Sequence, residues 1–352
     1  MPEHHIFHYQ QEFLLESGAS LPGFQLTYTT YGQLNARRDN VVWVCHALTG
    51  NSDFTDWWAG LFGEDKLYNP AEWFVVCANT LGGCYGSTGP LSINPRTLKP
   101  YLHQFPQLTN RDIVAAFDLL RQELELEHVH TLIGGSLGGQ QALEWAIQKP
   151  DVFDRLVHVA SNARHSPWGI AFNESQRMAI RQDPTWLTDS ETAGSEGLKT
   201  ARAIAMLSYR HYTSYAKTQQ EPGNSITDDF RASSYQVYQG EKLAKRFNAY
   251  TYWLLSKAMD SHHVGRGRGG LEKALAHLKA RTLFVGVDSD LLFPVEEQRF
   301  LHAHVPDSCF AILQSDYGHD GFLVETAQLD QAIREFYETE HVSNLYYENT
   351  EV

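Results

Sequence analysis

Six short apolar runs punctuate the chain: VVWVCHA at 41–47, WFVVCAN at 73–79, HTLIGGS at 130–136, RLVHVAS at 155–161, RTLFVGV at 281–287 and CFAILQS at 309–315. They are nearly continuous in hydrophobicity rather than alternating, which predicts strands buried on both faces. Helical patterns lie between several of them. In TNRDIVAAFDLLRQELEL, Ile113, Val114, Phe117 and Leu120 form one stripe behind Thr109, a side chain suited to cap the first turn. A second helical pattern runs from Leu137 to Pro150. This order predicts an α/β architecture, a mostly parallel sheet with helices on both faces. Upstream, between Phe7 and Gly32, FHYQQEFLLESG and LPGFQLTYTTYG are rich in β-formers and separated by turn residues, which predicts an antiparallel pair.

The texture changes between about Ala163 and Ala280, where strand signals stop and SQRMAIRQ, LKTARAIAMLSYRHY and KLAKRFNAYTYWLLSKAM read as helices. We therefore expect a core built from residues 1–163 and 280–352, interrupted by a helical insertion at 164–279. An insertion over the carboxyl edge of a parallel sheet commonly acts as a lid that shapes a pocket; the plainer alternative is a structural subdomain.

Composition narrows the function classes. Hydrophobic residues make up 42% of the 352 and charged residues 20%, the balance of a soluble globular chain. A formal net charge of −14 argues against general nucleic-acid binding, which needs a positive footprint. The start, MPEHHIFHYQQEF, lacks the basic and apolar regions of a signal peptide, and nowhere do about 18 apolar residues run together. The expectation is a cytoplasmic enzyme without a membrane partner. Cys45, Cys77, Cys84 and Cys309 have no CxxC spacing, and three fall in or beside apolar runs, so buried thiols are expected. GRGRGG at 265–270 reads as a flexible loop with solvated arginines, and the tail HVSNLYYENTEV as frayed or packed on a partner.

The strongest chemical signal is TLIGGSLGGQQALEWA, in which Gly134, Ser136 and Gly138 form G-x-S-x-G directly between a strand and a helix. Such an elbow lifts a serine hydroxyl to the sheet edge, and the adjoining helix N-terminus favours developing negative charge. An unaided hydroxyl is a weak nucleophile, so a carboxylate and a histidine should follow in chain order. Asp290 in GVDSDLLFP and His319 in SDYGHDGF follow strand ends in that order, with Asp288 a positional rival to Asp290. After the first strand, HALTG can bring the Leu48 N–H beside that of Leu137 as an oxyanion hole. No metal is expected: His46, His4, His5, His262 and His263 lack partners at ligand spacing, and His46 is better suited to holding its loop by hydrogen bonds.

With HALTG at 46–50, CANTLGGCYGSTGP at 77–90, GGSLGGQQALEWA at 134–146, FNESQRMAI at 172–180, TARAIAMLSY, DSDLLFP at 288–294 and YGHDGFL at 317–323, nearly the whole chain resembles the homoserine O-acetyltransferase family. The resemblance implies an α/β-hydrolase fold and ping-pong transfer of an acetyl group from acetyl-CoA, through Ser136, to the homoserine hydroxyl. It implies no bound cofactor, and it favours Asp290 over Asp288 as the acid of the triad. It further implies that Arg202 meets the homoserine carboxylate, with Arg177 the alternative, and that Asp320 meets the ammonium. A homodimer through the insertion is implied as well, with AYTYWLLSKAM offering an apolar helix. Succinyl-CoA as donor, serine as acceptor, or simple ester or thioester hydrolysis are the rival activities on such a triad.

Overall fold

The computed structural model describes residues 1–223 and 225–339. Eight strands form the main sheet: β1 (Glu3–Tyr9), β2 (Phe24–Tyr31), β3 (Val41–Cys45), β4 (Phe74–Ala78), β5 (Val129–Gly135), β6 (Phe153–Val159), β7 (Arg281–Val287) and β8 (Ser308–Leu313). Their spatial order is β1-β2-β4-β3-β5-β6-β7-β8. The first two pairings, β1 with β2 and β2 with β4, are antiparallel, and all later pairings are parallel. The N-terminal pair is therefore present, but its first strand starts at Glu3, upstream of the window its β-formers marked.

The parallel strands are covered on both faces, and residue parity sorts their side chains. Val41, Trp43 and Cys45 enter one apolar cluster, while Val42 and Val44 enter the other. On the first face Trp43 meets Trp145 edge-on at 5.0 Å, with Phe117 packed beside both. Phe117 and Trp145 come from helices α1 (Asn110–Glu123) and α2 (Leu137–Gln148). Thr109 caps α1 as expected, accepting from the Asp112 N–H while Asp112 accepts from the Thr109 N–H, a reciprocal box that satisfies two otherwise orphaned donors.

Between β6 and β7 the chain makes five longer helices: α3 (Pro167–Gln182), α4 (Ser195–Tyr209), α5 (Tyr212–Thr218), α6 (Arg231–Ala244) and α7 (Ala249–Asp260). The two ends of this excursion pair with each other, the His165 N–H donating to His262 O at 3.1 Å and the Val264 N–H to Ala163 O at 3.0 Å. After β7 come α8 (Val295–His304) and, beyond β8, α9 (Thr326–Glu338). No helix among the described residues is long and apolar enough to cross a membrane.

Two readings of the sequence need correction. The AYTYWLLSKAM helix is not available to a partner: Tyr250, Tyr252, Leu254, Leu255, Ala258 and Met259 are buried within this chain. Apolar periodicity reports burial and cannot say whether the cover is tertiary or quaternary. Nor is GRGRGG solvated slack. Arg268 donates to the Glu144 carboxylate at 2.6 and 3.1 Å, Arg266 donates to Glu16 at 2.8 Å, and a Cβ on Gly265 would strike Gly270 at 2.4 Å. Cys45, Cys77 and Cys309 are buried and Cys84 half-buried. The HVSNLYYENTEV segment lies outside the described residues.

Candidate active site

Ser136 sits between β5 and α2 with φ 58° and ψ −125°, a region costly to a residue with a Cβ. The flanking glycines make the turn possible. A Cβ on Gly138 would lie 2.0 Å from Cys45 O, and one on Gly134 would lie 2.2 Å from Gly138 O. The elbow is braced from behind, where the Ser161 hydroxyl donates to Ser136 O at 2.7 Å and the Gln298 amide donates to Ser161 O at 2.7 Å.

The loops after β7 and β8 bring a carboxylate and an imidazole to this serine. His319 Nε2 lies 2.9 Å from Ser136 Oγ, and His319 Nδ1 lies 2.6 Å from Asp290 Oδ2. An ionised carboxylate only accepts, so Nδ1 carries the proton and Nε2 is left to accept from the serine hydroxyl. The other Asp290 oxygen accepts the Leu292 and Phe293 N–H groups at 2.8 and 2.9 Å, which fixes the carboxylate. Burial works to depress the His319 pKa, but the charge and hydrogen bond of Asp290 outweigh it and the value lies above the ordinary one. Asp288 is turned elsewhere: its Oδ1 accepts the Ser315 N–H at 2.9 Å and so pins the loop that carries His319.

The loop after β3 lies opposite. His46 is buried, with Nδ1 2.8 Å from Ala47 O and Nε2 accepting the Thr80 N–H at 3.1 Å. Burial lowers its pKa to about 4, so it is a neutral structural ring that holds the Leu48 loop. Leu137 opens helix α2, where an N–H has no intrahelical acceptor. Neither the Leu48 nor the Leu137 N–H finds a backbone acceptor among the described residues.

Ser136, His319 and Leu48 line a cavity of about 560 Å³, whose wall also includes Arg202, Tyr209 and Asp320. Arg202 projects from α4 of the insertion; its guanidinium lies 5.2 Å from the Tyr209 ring centre, and its buried Nε and Nη1 have no hydrogen-bond partner. Asp320 is paired with Arg210, Nε to Oδ2 2.9 Å, and among the described residues its oxygens accept no hydrogen bond. Burial raises the Asp320 pKa against the opposing charges of Arg210, Arg202 and His319. Arg177 is spent inside the insertion, on Glu174 at 2.9 and 3.0 Å, on Ser256 at 3.0 Å and on Asp260, and does not line the cavity.

Tyr209, Arg210 and Arg246 escaped the sequence reading. A signal existed for Tyr209, which follows Arg202 by seven residues and therefore shares its helix face after two turns. None existed for Arg246, whose Nη1 donates to Thr49 O at 2.7 Å and to the Tyr85 hydroxyl.

Three comparisons bear on the chain. Residues 40–326 match the model of the alpha/beta hydrolase fold family. A homoserine O-acetyltransferase from Cyclobacterium marinum is 54% identical over 94% of this chain and 94% of its own. Among solved structures, a homoserine O-acetyltransferase from Staphylococcus aureus superposes with a TM-score of 0.81 at 28% identity, covering 98% of each chain. Esterase E22 superposes with a TM-score of 0.88 at 26% identity, covering 96% of this chain and 100% of that one.

Proposed function

Because the chain belongs to the homoserine O-acetyltransferase family, on the α/β-hydrolase fold, we propose that it moves an acetyl group from acetyl-CoA to the side-chain hydroxyl of homoserine, in methionine biosynthesis in the cytoplasm. One observation carries the acceptor assignment. The cavity that holds the Ser136 hydroxyl is also lined by Arg202, whose buried Nε and Nη1 have no partner, and by Asp320, whose carboxylate is ion-paired with Arg210 through Oδ2. A zwitterionic amino acid needs one fixed charge of each sign about its head, and a desolvated charge without a partner is costly until a ligand supplies one.

In the first half-reaction Ser136 Oγ attacks the thioester carbonyl as its proton passes to His319 Nε2, 2.9 Å away. The oxyanion takes the Leu48 and Leu137 N–H groups. On collapse the C–S bond breaks, His319 returns its proton to the departing sulfur, and the acetyl group stays on Ser136. The homoserine hydroxyl then gives its proton to Nε2 and attacks the ester carbonyl, and the Ser136 oxygen leaves and regains a proton from His319. Asp290 holds the imidazole in one tautomer and supports its positive charge in both halves. Helices α3 to α7 act as the lid that carries Arg202 over this site and limits water.

Hydrolysis is the second reading, since the triad alone would serve it and the likeness to esterase E22 covers 96% of the chain. Purified protein is given acetyl-CoA or succinyl-CoA, with homoserine, serine or no acceptor, while free CoA and acylated amino acid are measured. The proposal expects stoichiometric O-acetylhomoserine. Equal CoA release without an acceptor would establish a hydrolase, and a preference for succinyl-CoA would change the donor. We also propose a homodimer formed through the lid, using its exposed Leu207, Tyr212, Phe230, Val237 and Tyr238. Light scattering should give twice the 39.9 kDa chain mass, and Val237→Glu should shift it toward the monomer.

A further inference from the structure

We propose that Arg210 is the positioning residue of the acceptor pocket, holding the Asp320 carboxylate charged and in place for the ammonium of the amino-acid acceptor. The inference rests on the reading of Asp320 as the ammonium site.

Arg210 follows the last residue of α4 and is extended, with φ −114° and ψ 148°, so its side chain leaves the line of Arg202 and Tyr209 and turns to the loop after β8. Its Nε lies 2.9 Å from Asp320 Oδ2, and its guanidinium carbon lies 5.6 Å from the Tyr317 ring centre. The Nε–H is not aligned for a hydrogen bond despite that distance, so the contact is one of charge. The contact engages Oδ2, while Oδ1 accepts no hydrogen bond among the described residues.

The backbone fixes the arrangement. Gly318 has φ 67°, and a Cβ there would meet His211 N at 2.8 Å and Arg210 C at 3.0 Å. The end of the lid helix is thus packed directly on the Gly318–Asp320 turn, and Arg210 cannot be far from Asp320 while that packing lasts.

The charges around Asp320 explain why a dedicated cation is needed. Burial and the Asp290 charge favour the neutral carboxyl, while Arg210, Arg202 and His319 oppose them. Tyr209 and Tyr215 also face this group, and burial keeps both hydroxyls neutral, Tyr215 pushed up to about 12. In the proposed reaction Arg202 is neutralised by the acceptor's own carboxylate, and His319 alternates between neutral and charged. Of the three cations that oppose burial at Asp320, Arg210 is the one whose charge stays constant through the cycle. Removing it leaves the acid form of Asp320 favoured over a wider pH range, and a neutral carboxyl attracts an ammonium far less than a carboxylate does.

The test separates the half-reactions in Arg210→Gln, Arg210→Lys and Asp320→Asn, using rapid mixing with acetyl-CoA for acylation and varied homoserine for the second step. Arg210→Gln should lower kcat/KM for homoserine by roughly tenfold to a hundredfold, the scale of one charge-assisted contact, mainly through KM. Its acidic limb for homoserine should move to higher pH, acylation should fall much less, and Arg210→Lys should recover part of the loss. If Arg210→Gln and Arg210→Lys slow both half-reactions alike, with no shift of the acceptor limb, Arg210 is a packing residue and the inference fails. If Asp320→Asn impairs homoserine use while Arg210→Gln does not, the inference fails and the acceptor pocket stands. If Asp320→Asn leaves homoserine use intact, both fall together.

Discussion

Asp288 and Asp290 stand two residues apart on one loop yet face different partners, one the Ser315 N–H and the other His319. Asp290→Asn should therefore cut turnover by about three to four orders of magnitude, while Asp288→Asn should cost much less. The pH profile supplies an independent check. Acylation needs neutral Nε2, and with Asp290 present the His319 pKa lies above its ordinary value, so the acidic limb should lie above about 6.5. Asn removes both raising influences of Asp290 and leaves burial opposed by the Asp320 charge alone, and the residual limb should move to lower pH. A limb that stays put in Asp290→Asn would mean that Asp290 does not govern His319. Ser136→Ala should abolish transfer while preserving the fold, and mass spectrometry of the native protein mixed with acetyl-CoA should find one acetyl group on the Ser136 peptide. Ser136 was legible because its motif is local, and His319 because loop position and chain order narrow the choice, whereas position left Asp288 and Asp290 as rivals and only the family resemblance favoured Asp290. Arg210 was not legible, since its place beside Asp320 depends on a helix of the insertion meeting a loop 110 residues further along, from 210 to 320.

At the scale of elements, the six apolar runs became strands within two residues of their predicted bounds, because a strand covered on both faces must be apolar throughout. The helices of the insertion were legible as helices, but their packing was not, and AYTYWLLSKAM was assigned to a surface it does not form. The elbow shows how an element constrains a residue. Gly138→Ala puts a methyl group 2.0 Å from Cys45 O, and neither backbone can move without shifting β3 or Ser136. We expect loss of acylation together with a destabilisation of at least ~1–3 kcal/mol, read from denaturant unfolding. Thr109→Ala is the contrasting case, since it removes a cap far from the site in sequence and should cost ~1 kcal/mol with turnover unchanged. A loss of turnover in Thr109→Ala at temperatures where it is fully folded would show that α1 is coupled to the site.

Across the whole molecule, the insertion leaves and rejoins the core through one neck, where Ala163–His165 pairs with His262–Val264. Just past the returning segment the turn at 265–270 is riveted to the core by charge. The Glu144 carboxylate of α2, with its side chain only 2% exposed, takes Arg268 at 2.6 Å and Arg111 at 3.2 Å. Glu16, from the N-terminal region, takes Arg111 at 3.0 Å and Arg266 at 2.8 Å. Four charged side chains from three distant parts of the sequence thus close around Arg111, joining the return of the insertion to the elbow helix. A buried carboxylate left without a partner costs several kcal/mol, whereas one that keeps a second arginine loses less. Arg268→Ala should accordingly destabilise by ~1–3 kcal/mol, and so should Arg111→Ala. The double variant, which strips Glu144 of both cations, should lose more than the sum, because only then is the buried charge uncompensated. Urea unfolding of the four proteins of this cycle measures that excess directly. Strict additivity would mean that each arginine stabilises the neck through packing alone, and that the insertion is not anchored to the elbow helix through Glu144.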